Sequence, residues 1–150
     1  YMDWLGVWSN RKLQTCQCDT SVMISPEMFR DFVLDDLNST YEYLDYGMYH
    51  LDGEEEIQHL DFLLKIEKLK VIQWIPSTRM NQPEYGDPLN WLELFKRIQD
   101  GGKSVLIYTP YERVDELMQK VDRSKVILDI TCPDVTVARK TLLTLDRIGV

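Results

Sequence analysis

Three cysteines in 150 residues, at Cys16, Cys18 and Cys132, are too few and too uneven for a disulfide framework. That scarcity favours a reducing, cytoplasmic setting. Long apolar runs are missing as well, since none approaches the roughly 18 residues that span a bilayer. The opening Tyr1-Met2-Asp3-Trp4 carries neither the basic region nor the apolar stretch of a secretory signal. Because Met2 is not first, the chain reads as a piece of a longer one. Basic charge is in deficit, with 17 Lys and Arg against 25 Asp and Glu and a net charge of −8. Phosphate backbones are bound by clustered cations, so nucleic acid is excluded as a general partner. No Gly-x-Gly-x-x-Gly turn and no P-loop occurs, which weakens a nucleotide-binding reading.

What is present is an ordinary globular composition, 44% hydrophobic and 28% charged, with enough aromatic residues to argue against disorder. A domain of this length buries about 68–70% of its unfolded surface, so one core is sufficient without staples. No linker, low-complexity tract or shift in composition divides residues 1–150, which read as one domain.

Five short runs rich in apolar, β-branched and aromatic residues recur: Leu13 to Cys18, Gly47 to Leu51, Val71 to Ile75, Ser104 to Tyr108 and Val126 to Ile130. Each is followed by turn residues and a segment of helical spacing, the pattern of βα units on a parallel sheet. Ser25 before Pro26 is a cap ahead of a first-turn proline, and Phe29, Val33, Leu37 and Tyr41 then recur every four residues on one face. Asp52 with Glu55, and Thr109 with Glu112, have capping-box spacing, and Glu54, Glu55 and Glu56 suit the positive end of a helix dipole, a reading preferred to a metal site. A third helix is expected from about Pro88 to Gln99, stopped by Gly101-Gly102. The fourth uses Val114, Leu117, Met118 and Val121, and the last uses Val135, Ala138, Leu142 and Leu145. Pro76 to Asp87 is the longest irregular stretch, of a kind that often carries function. Five units fall short of a closed (βα)₈ barrel of about 250 residues. The expectation is therefore an α/β fold, a partial TIM-type barrel of about five βα units with parallel strands.

Parallel architectures bind ligands at the carboxyl ends of their strands. That selects Cys16, Cys18 and Asp19, then His50 and Asp52, then Trp74, Ser77 and Arg79, then Tyr108 and Tyr111, and finally Asp129 and Cys132. Residues two apart on a strand share a face, so His50 and Asp52 can address one ligand together. With Cys132 they make three acceptable zinc ligands, the number typical of a catalytic site with an open position. The alternative is that His50 hydrogen-bonds in the mouth, Asp52 caps its helix and Cys132 is a small buried hydrophobe. Asp19 is a candidate acid or base, and Trp74, Arg79 and Tyr108 are candidate substrate contacts. His59, inside a helix of ordinary spacing, is expected at the surface or an interface. Cys16 and Cys18 share a strand face, but buried structural thiols are common.

The segment Cys18-Asp19-Thr20-Ser21-Val22-Met23-Ile24-Ser25-Pro26-Glu27-Met28-Phe29 resembles a strand-loop-helix of uroporphyrinogen-decarboxylase-like proteins. Tyr49-His50-Leu51-Asp52-Gly53, Val71-Ile72-Gln73-Trp74-Ile75-Pro76 and Asp129-Ile130-Thr131-Cys132-Pro133 continue the likeness in order. The resemblance covers nearly the whole chain and corresponds to the later part of that family's barrel. It implies a (βα)₈ fold and either of two activities: cofactor-free decarboxylation of tetrapyrrole acetates, or corrinoid-dependent methyl transfer. The methyltransferases bind zinc through His-x-Cys and a later Cys, which resembles His50, Asp52 and Cys132 here. Asp52 stands where their first thiolate would be, a hard ligand in place of a soft one. The decarboxylases handle their carboxylates with an Arg-rich stretch that this chain lacks, so the resemblance implies that the activity belongs to a parent chain and that this piece is inactive alone. Expected partners are a tetrapyrrole or methyl donor, a corrinoid protein, and a second copy covering open sheet edges. A mouth that binds a small molecule or corrinoid without turnover is the non-enzymatic alternative.

Overall fold

A computed structural model describes residues 1–76 and 86–147. Five strands, β1 (Leu13–Cys16), β2 (Tyr46–Asp52), β3 (Leu69–Ile75), β4 (Ser104–Pro110) and β5 (Val126–Thr131), form one sheet in the order β1-β2-β3-β4-β5. Every pairing is parallel. Between and after them lie α1 (Pro26–Phe32), α2 (Leu34–Glu42), α3 (Leu60–Lys65), α4 (Leu92–Asp100), α5 (Val114–Met118) and α6 (Val135–Arg147).

Sequential strand order combined with crossovers of one hand puts the helices on one face of the sheet, as in a barrel and unlike a doubly wound sheet. The packing agrees. Tyr49, Leu51, Ile72, Trp74, Val105 and Ile107 point to the helix side, where they join Phe29, Leu60, Leu63, Phe95, Ile98 and Leu117. The neighbouring strand residues face the other way, and Met48, Val71 and Leu106 pack there under Leu5 and Val7 of the N-terminal segment. This is the arrangement of a partial βα barrel.

The expected cap at Ser25 is present: its Oγ accepts from the Met28 amide at 3.3 Å, with Pro26 opening α1. The single helix expected beyond it is divided at Val33, a β-branched residue at φ −116°. Val33 N–H still donates to the Phe29 carbonyl and Leu37 N–H to that of Val33, so Phe29, Leu37 and Tyr41 stay in phase and buried. Both expected capping boxes give way to other contacts. Glu56, not Glu55, receives the amide of Asp52, and the Thr109 hydroxyl donates to the Pro110 carbonyl. Gly102 turns the chain after α4 at φ +80°, a conformation that favours glycine. No described helix is long and apolar enough to cross a membrane.

Candidate functional site

Alternation along parallel, in-register strands collects the polar residues of the helix-free face at their carboxyl ends. His50 of β2 lies opposite Gln73 of β3, while Tyr108 of β4 lies opposite Asp129 of β5. Gln73 is buried, and its Oε1 hydrogen-bonds His50 Nδ1. An amide oxygen only accepts, so Nδ1 carries the proton of this bond and Nε2 is the nitrogen left to face the strand tips. Nε2 lies 3.9 Å from Asp52 Oδ2. Tyr108 lies one strand further on, and its phenol is pushed up in pKa by burial and by the Asp129 carboxylate. The helix-free face thus carries a bonded His50–Gln73 pair with Asp52 beside it, and Tyr108 with Asp129 on the next two strands.

The N-terminal segment closes this face. The Asp3 carboxylate accepts from the Thr15 amide and hydroxyl, each at 2.8 Å, and from the Leu5 amide at 2.9 Å. Gly6, at φ +77°, lets the segment turn back on itself, and Met2 bridges Trp8. Trp4 is thereby set edge-on to the His50 ring, with centroids 5.5 Å apart. Beside it runs a groove of about 510 Å³, lined by Leu5, Val7, Trp8, Leu106, Ile127 and Asp129 among others.

A second polar cluster lies behind His50 and Asp52. Glu56 is buried; its Oε1 accepts from Ser21 Oγ at 2.6 Å and its Oε2 from the Asp52 amide at 3.1 Å. Burial pushes its carboxyl up in pKa, against those two hydrogen bonds. His59 donates from Nε2 to the Ser21 carbonyl at 2.9 Å and stacks on Phe29 at 4.3 Å. Burial holds its pKa below the usual histidine value. His59 is therefore a core residue, only 1% exposed, and not the surface residue its helical spacing implied.

Among the sequence candidates, His50, Asp52, Tyr108 and Asp129 share the strand-tip face. Asp19 is exposed at the start of the turn after β1, and no hydrogen bond or ion pair among the described residues joins it to His50 or Asp52. Trp74 is 3% exposed on the helix side, tilted against Trp91 at 4.8 Å, so it contributes to the core and not to the mouth. Cys132 is half-buried after β5 and does not join His50 and Asp52. No three His, Cys, Asp or Glu side chains among the described residues are gathered as metal ligands, so the expected zinc set does not fit this site. Ser77 and Arg79 lie outside the described residues. Cys16 and Cys18 line a separate cavity of about 660 Å³ at the β1 edge.

Sequence reasoning passed over Gln73 and Trp4, and read Glu56 only as one of three carboxylates at a helix start. Gln73 carried a signal, being the one polar residue in Val71-Ile72-Gln73-Trp74-Ile75, where a buried amide must have partners. Comparison with protein-family models, with curated proteins and with solved structures finds no match to this chain.

Proposed function

We propose that this chain is the later part of a uroporphyrinogen-decarboxylase-like barrel whose parent enzyme acts on a small tetrapyrrole-type substrate at the strand tips, with His50 as the proton-transfer residue. The carrying observation is the hydrogen bond from His50 Nδ1 to Gln73, which leaves Nε2 facing Asp52 as the reactive nitrogen. Decarboxylation breaks a carbon–carbon bond, and the electron pair left on the substrate takes up a proton. An imidazole protonated at Nε2 beside a carboxylate supplies that proton, and the Gln73 bond holds the ring in place for it. Free cysteines suit a reducing, cytoplasmic setting for such an enzyme.

Methyl transfer, the other activity implied by the resemblance, is less well supported. It calls for a soft ligand set, and His50, Asp52 and Cys132 are not gathered into one. A binding module without turnover is the second reading, with the groove beside Asp129, lined by Leu5, Val7, Trp8, Leu106 and Ile127, as its place for a ligand.

The test is anaerobic titration of the parent chain with uroporphyrinogen, read by tryptophan quenching, since Trp4 abuts His50, and by release of carbon dioxide. Saturable quenching that His50→Ala weakens about tenfold, the loss expected for a charged hydrogen bond, supports the proposal. Saturable quenching without carbon dioxide release assigns the binding module. Absence of saturable quenching overturns both.

A further inference from the structure

The amide of Asp52 is in an unusual position for the last residue of a strand. The next amide, that of Gly53, donates to Ile75 of β3 at 2.9 Å, so the Asp52 amide points the opposite way, toward β1. But β1 ends at Cys16, paired with Tyr49, and offers no carbonyl that far along. The acceptor is Glu56 Oε2 instead. The other oxygen of the same carboxyl group receives Ser21 Oγ, from the turn after β1, and Ser21 is held from its carbonyl side by His59.

We propose that Glu56 is a positioning residue of the strand-tip site: its buried carboxyl group replaces the strand residue missing beyond Cys16 and ties the tip of β2 to the turn after β1. The His50–Asp52 pair is thereby held against an edge that would otherwise be open. Packing alone does not call for a carboxyl group at this place, because an apolar side chain would occupy it without loss of hydration. The inference rests on the reading that His50 and Asp52 belong to the functional site.

The experiment compares Glu56→Leu, Glu56→Gln and Ser21→Ala in the whole chain by amide hydrogen exchange. Asp52 is followed relative to Ile72 in the middle of β3, which corrects for changes in global stability. Glutamine keeps an oxygen for the Asp52 amide, and the Ser21 hydroxyl rotates to accept from its NH₂ group. Glu56→Gln is therefore expected to stay within about twofold of the parent ratio, while Glu56→Leu exchanges about tenfold faster at Asp52. Ser21→Ala, which frees one side of the carboxyl group, is expected to raise exchange about threefold and remains informative if Glu56→Leu does not fold. Asp52 exchange at the parent ratio in Ser21→Ala and in Glu56→Leu overturns the proposal. So does an equal change in Glu56→Leu and Glu56→Gln, which would mark a packing effect. None of these readings uses a ligand, so failure here leaves the His50 titration standing, and failure of that titration leaves this result interpretable.

Discussion

Across the β2–β3 pair, His50 Nδ1 donates to Gln73 Oε1, and this one bond decides which imidazole nitrogen faces the strand tips. Replacing Gln73 with Leu removes the acceptor. The expected outcome is a mixture of His50 tautomers in nitrogen NMR spectra and a loss of about 1–2 kcal/mol in urea unfolding, from a donor left half-buried and unpaired. Unchanged nitrogen spectra in that variant would show that the tautomer is set elsewhere.

The buried His59 makes stability depend on pH. Its folded pKa is depressed by burial, so below its ordinary value near 6.5 the unfolded chain binds more protons than the folded one. The contribution is fully present above about pH 6.5 and is lost as pH falls toward the lower folded value. Urea midpoints should therefore decline from pH 7.5 to pH 5 in the parent chain, and His59→Asn should flatten that part of the decline.

Asp3 fastens the N-terminal segment over the helix-free face through Thr15. Asp3→Ala leaves two Thr15 donors without their acceptor and uncovers Met48, Val71 and Leu106. We expect increased binding of a hydrophobic dye, a shift in tryptophan emission, and a loss of about 2–3 kcal/mol in stability. A variant with unchanged dye binding would mean that the segment holds by its apolar contacts alone.

Gly47 is constrained by its neighbours and not by its backbone angles. A Cβ there would stand 2.6 Å from Tyr41 Cδ1 and 3.2 Å from the Lys68 carbonyl. Tyr41 cannot easily retreat, since its ring is buried and its hydroxyl donates to the Met48 carbonyl at 2.6 Å. Gly47→Ala should cost about 1–3 kcal/mol and lower the melting temperature by several degrees. The double change with Tyr41→Phe, which releases the hydroxyl anchor, should be less than additive.

The strand positions, the Ser25-Pro26 start and the turn at Gly101-Gly102 were legible because each depends on residues close in the chain. Which strand residues face the mouth was harder to read. Strands covered on both faces carry continuous apolar runs without alternation, so Trp74 and Gln73 look equally placed until the register is known. The Glu54-Glu55-Glu56 triplet posed the same problem. Three identical side chains suit a helix start equally well, and only the end of β1 at Cys16 selects Glu56 for burial.

Local chemistry in the sequence thus determined the parallel βα alternation and the placing of His50 and Asp52 at a strand end, because side-chain period and turn preference act over a few residues. Tertiary structure alone decided that Gln73 orients His50, that His59 and Trp74 are interior, and that Cys132 stays apart from the histidine. Those outcomes depend on strand register and on which face the helices cover, and neither is encoded within any single segment.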